Sequence, residues 1–95
     1  MDRQEAYQEK MEARVKALQA QIEGLAAKAN EAKADAKIEL MEGLDRLMAK
    51  RDEVQTKLGK LKEAGEKASD DLRQGLESAL FDLKTAVDKA LDKFK

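Results

Sequence analysis

Residues 71–81 read DLRQGLESALF and residues 82–92 read DLKTAVDKALD, so nearly the same pattern is written twice at an interval of eleven. On a helix turning ~100° per residue, eleven residues complete almost three turns, and such a repeat runs close to parallel with the axis. Leu72, Leu76, Ala79, Leu80, Leu83, Val87, Ala90, Leu91 and Phe94 then share one arc of about 120°, a well-defined apolar face. Leu61 extends the series, because Leu61, Leu72, Leu83 and Phe94 stand at the same interval, whereas Phe81 falls on the polar side. The spacing predicts an amphipathic helix over residues 71–95 whose oily stripe needs a cover.

Upstream, the apolar positions can be followed from Tyr7. Val15, Leu18, Ile22, Leu25, Ala29, Ala32 and Ala36 step by threes and fours, a heptad rhythm. Residues 26–37, AAKANEAKADAK, keep that rhythm with alanine alone; they favour helix but bury little, so a thin or closely approached section is expected. Asn30 is a candidate helix end, without a neighbouring glycine or proline to fix it. The phase then slips through Leu40 and Leu44, as an insertion of the stutter type, and resumes at Leu47, Val54, Leu58 and Leu61. Ile38, Met41 and Met48 broaden the apolar face around the slip. Glu12 with Lys16, Glu42 with Arg46, Glu53 with Lys57 and Glu63 with Lys67 are spaced for helix-surface pairs, each adding about 0.2–0.5 kcal/mol.

The clearest punctuation is EAGEKASDD, residues 63–71. Gly65 can take a positive φ after a helix ends, Ser69 can cap the next one, and Asp70 and Asp71 suit its positive end. The expected organisation is therefore a long charged coiled-coil helix over 1–64, a turn or hinge over 65–70 and an amphipathic helix over 71–95. Helices of those lengths would measure roughly 90 and 40 Å. Gly59 is a second possible breakpoint, while Gly24, Gly43 and Gly75 read as interior sites costing up to about 1 kcal/mol each against alanine.

Composition narrows the function. The chain has 95 residues, 41% of them charged, a net charge of −1, and no proline, cysteine, histidine or tryptophan. Strong helix formers in a regular apolar pattern point away from disorder. Interspersed charges without an aromatic platform point away from nucleic acid. With neither histidine nor cysteine, the usual general base and strongest nucleophile are missing, and no enzyme activity is expected. Glu39 and Glu42 share a face, but a di-iron pattern needs a histidine partner. No phosphate loop or calcium loop appears, so no cofactor, metal or small-molecule substrate is expected. The N-terminal segment is too polar for a signal peptide and no apolar run spans a bilayer, which makes the cytoplasm the expected location.

Residues 51–95 also carry a resemblance. The segments KLGKLKEA from Lys57, DLRQGLESA from Asp71 and the closing KFK from Lys93 resemble the C-terminal half of a family of small bacterial coiled-coil, stress-response proteins with an apolipoprotein-like amphipathic tail. Relatives commonly carry tryptophan in the tail; Ser69 and Leu80 stand where it would be sought. The resemblance implies a bacterial source and a stress setting, and supplies no catalytic residue.

Taken together, these features predict an all-α, elongated coiled-coil hairpin that self-associates as a homo-oligomer, with residues 7–36 pairing between chains. A three-helix bundle breaking near Asn30 and an extended filament subunit are the alternative architectures. The expected interaction face is Val15, Leu18, Ile22, Leu25, Leu47, Val54, Leu58, Leu61, Leu72, Leu76, Leu80, Leu83, Val87, Leu91 and Phe94. The expected function is a non-enzymatic scaffold. The alternative is a peripheral lipid-binding protein that uses Leu72–Phe94 against a membrane surface. Against lipid, Arg73, Lys84, Lys89, Lys93 and Lys95 are outnumbered by Asp70, Asp71, Glu77, Asp82, Asp88 and Asp92.

Overall fold

A computed structural model describes residues 2–93. Three helices follow one another: α1 (Arg3–Glu31), α2 (Ala34–Ala64) and α3 (Asp70–Lys93), with a short 3-10 turn at Gly65–Lys67. The starts of α1 and α3 have a local cause. Asp2 Oδ1 accepts a 2.8 Å hydrogen bond from the Glu5 amide at the head of α1. Ser69 Oγ accepts from the Leu72 amide at 3.2 Å ahead of α3, where Asp70 and Asp71 occupy the first turn. Between α2 and α3, Gly65 adopts φ 55° and ψ −126°, a conformation that L side chains resist, and its amide closes α2 on the Leu61 carbonyl.

The helix expected over 1–64 is instead two antiparallel helices. Ala32 and Lys33 both lie in the extended region, with ψ of 156° and 155°, and reverse the chain. The Ala32 amide still reaches the Ala29 carbonyl at 3.1 Å, and Lys37 Nζ donates to the Asn30 carbonyl at 3.4 Å. Neither glycine nor proline enforces this turn, so its cause is tertiary. Interrupting a helix forfeits a few backbone hydrogen bonds of about 0.5–1.5 kcal/mol net each. Folding back buries Leu44, Leu47, Val54, Leu58 and Leu61 of α2, and each such side chain contributes about 1.5–3 kcal/mol on leaving water. Burial wins. The phase slip after Ala36 therefore marks a new helix, not a stutter, while Gly59 lies inside α2 and breaks nothing.

The resulting bundle measures 49 × 21 × 18 Å, elongated and all-α, in the three-helix form. Helix α2 packs along both neighbours, and α1 and α3 run parallel with a less extensive contact. The stripes meet in one core. Met11, Val15, Leu18, Ile22 and Leu25 of α1 and Leu76, Leu80, Leu83 and Val87 of α3 close around the α2 row. Residues 7–36, expected to pair between chains, pack within the chain, so that the α1 stripe from Met11 to Ala29 is buried in a single copy.

Two outcomes follow for equilibrium denaturation. Leu80→Ala, at a fully buried site, lowers the unfolding free energy by about 2–5 kcal/mol. Gly24→Ala, where an added methyl meets nothing within 4 Å, raises it by up to about 1 kcal/mol.

Candidate interaction surface

Most of the side chains expected to form an intermolecular face are core residues. Val15, Leu18, Ile22, Leu25, Leu47, Val54, Leu58, Leu61, Leu76, Leu80, Leu83 and Val87 are buried, and Leu72 and Leu91 are half-buried against them. Phe94 lies outside the described residues. The surface must be read from what the core leaves out.

One end of the bundle is fastened by polar side chains. Tyr7 Oη donates to Glu77 Oε1 at 3.1 Å, and Arg73 Nη2 donates to Gln4 Oε1 at 2.9 Å, joining α1 to α3. The Arg73 guanidinium lies 5.8 Å from the Tyr7 ring centroid, within cation–π range. Lys62 pairs with Glu12, and Arg51 Nη1 donates to Gln19 Oε1 at 3.3 Å, joining α2 to α1. The Arg73 Nε and Gln4 Nε2 donors find no protein acceptor, which costs part of what the clamp gains. Burial and the hydrogen bond to Glu77 hold the Tyr7 hydroxyl above its ordinary pKa of 10.0. Of the helix-surface pairs expected from spacing, Glu53 with Lys57 is formed at 3.3 Å, while Glu12 turns to Lys62 on the neighbouring helix.

The other end is different. There α1 offers alanines such as Ala26 and Ala29, and the seam between α2 and α3 opens into a groove of about 670 Å3. Its floor is apolar and mostly small: Ala36, Leu40, Gly43, Leu47, Ala86 and Ala90. Its lips carry Arg46 and Lys50 on α2, Lys89 and Lys93 on α3, and Glu39 and Glu42 toward the end. None of the four cations forms an ion pair among the described residues. Charged positions 39, 42, 46 and 50 keep helical spacing, so the α2 lip was visible in the sequence as one edge. The groove was not, since it exists only once α3 lies beside that edge.

Three large apolar side chains stand outside the core: Phe81 at 67% exposure, Ile38 at 66% and Met41 at 45%. At ~100° per residue, Ile38 and Met41 lie across α2 from the groove. Phe81 sits on the α1–α3 seam, where Arg14, Glu77, Ser78 and Asp82 border a shallow cleft. Its placement on the polar side of α3 agrees with the helical wheel. Among the described residues no group of three or more potential metal ligands gathers, and no helix is long and apolar enough to cross a membrane.

Comparison with family models, curated proteins and solved structures finds no match.

The clamp has a pH signature. A raised tyrosine pKa means that the folded state holds its proton more tightly than the unfolded chain does. The Tyr7 contribution is then fully present below pH 10 and is lost as pH rises through the unfolded and then the folded value. Melting temperatures from about pH 9 to about pH 11 therefore fall more steeply for the natural chain than for Tyr7→Phe, which has no hydroxyl to titrate. Parallel pH profiles would contradict this.

Proposed function

We propose that this chain is a non-enzymatic helical scaffold that self-associates through its outer surface, not through its apolar stripe. One observation carries the reading. After a complete core has formed, the bundle still leaves an apolar-floored groove with unpaired cationic lips, together with exposed Phe81, Ile38 and Met41. Seating an exposed ring such as Phe81 in an apolar-floored groove of a second copy would take apolar area out of water at both surfaces.

The alternative, lipid binding through α3, asks more of the molecule. Leu76, Leu80, Leu83 and Val87 face the core, so α3 would have to leave the bundle and take most of the shared interior with it. Among the described residues of α3, only Phe81 presents a large apolar side chain outward. Protein association needs no such opening and is the reading favoured.

Sedimentation velocity over a concentration series from low micromolar to millimolar tests the proposal. The expected result is an average mass that climbs above the 10.6 kDa of one chain as concentration rises. A single species of one-chain mass throughout the series would end the self-association reading.

A further inference from the structure

Resting on the self-association reading, we infer that Phe81 of one copy seats in the groove between α2 and α3 of a second copy. The assembly is head-to-tail.

The two surfaces match in kind. Phe81 is the most exposed of the large apolar side chains, on the middle of a regular helix, and the core has no use for it. An aromatic ring that enters an apolar site takes about 150–250 Å2 out of water, which makes it the natural anchor of a small interface. The groove supplies the complement. At about 670 Å3 it has room for the ring, and its floor of Ala36, Gly43, Ala86 and Ala90 lets an incoming helix come close. An added methyl at Gly43 would meet nothing within 4 Å, so the space above it is empty.

Charge favours the same pairing. Phe81 is flanked by the carboxylates of Glu77 and Asp82, with Arg14 at its cleft, while Lys84 one turn further on is paired with Asp88 at 2.9 Å. The groove carries Arg46, Lys50, Lys89 and Lys93 against Glu39 and Glu42. An acidic collar around an aromatic knob therefore meets a socket with an excess of cations. Ile38 and Met41 also have acidic neighbours; Phe81 is preferred because its ring is the larger anchor.

Knob and socket are different surfaces, so the contact is heterologous: a pair formed through it still has one free socket at one end and one free knob at the other. Such a contact extends into open chains. Its area is small against the ~1,600 Å2 of a stable interface, so the association is weak and concentration-dependent.

Complementary variants test the pairing. Phe81→Ser removes the knob at an exposed site. Gly43→Gln combined with Lys89→Glu fills the socket and reverses part of its lip. Circular dichroism and melting temperature establish that both remain folded. Each variant alone is expected to associate at least tenfold more weakly than the natural chain in sedimentation. A mixture of the two retains one working knob and one working socket, and is expected to form a capped one-to-one dimer that grows no further. Association of Phe81→Ser at the natural strength overturns the inference and leaves self-association standing, as does a mixture that stays monomeric while the natural chain associates. A natural chain that never associates removes both.

Discussion

The reversal at Ala32–Lys33 is the constraint on which the rest of the structure depends. It costs a few helical hydrogen bonds and returns α2 along α1, so that two stripes of leucine, isoleucine and valine face each other inside one molecule. Gly65 then makes the second reversal, and α3 closes the remaining side of α2. Without the first turn, the α1 stripe from Met11 to Ala29 would find its cover only on another chain. With it, an effectively high local concentration favours the partner already attached, and the core is complete in one copy.

That arrangement gives the bundle two unlike ends. Near the start of α1, side chains long enough to bridge helices fasten it through Tyr7 with Glu77, Arg73 with Gln4, and Lys62 with Glu12. Near the reversal, alanine replaces larger side chains, and α2 and α3 are left with an open seam. The alanine-only segment lets the chain turn with little apolar bulk at the reversal itself. It contributes only Ala36 to the groove, whose small floor comes otherwise from Gly43 on α2 and Ala86 and Ala90 on α3.

Much of this was legible in the residues. The eleven-residue repeat gave the face of α3 correctly down to the exposed position of Phe81, and EAGEKASDD gave the second turn, its positive-φ glycine and its serine cap. These features are local, and local chemistry is what a sequence displays. The first turn was not legible in the same way. Ala32 and Lys33 have good helix propensity, and Asn30 hints at an end without fixing it; the break is paid for by distant leucines. The heptad rhythm identified Val15, Leu18, Ile22 and Leu25 as residues that must be covered, but periodicity does not say by which chain. The groove escaped because it belongs to two helices, one of which contributes only small side chains and lysines to it.

The central claim is that one chain covers its own stripe by folding back at Ala32–Lys33. Small-angle scattering extrapolated to zero concentration tests it most directly. A self-sealed bundle gives a radius of gyration close to the 15.2 Å of the three-helix arrangement. A continuous helix running through Ala32 to Ala64 would extend ~90 Å and give about 25 Å or more, and that result would contradict the account.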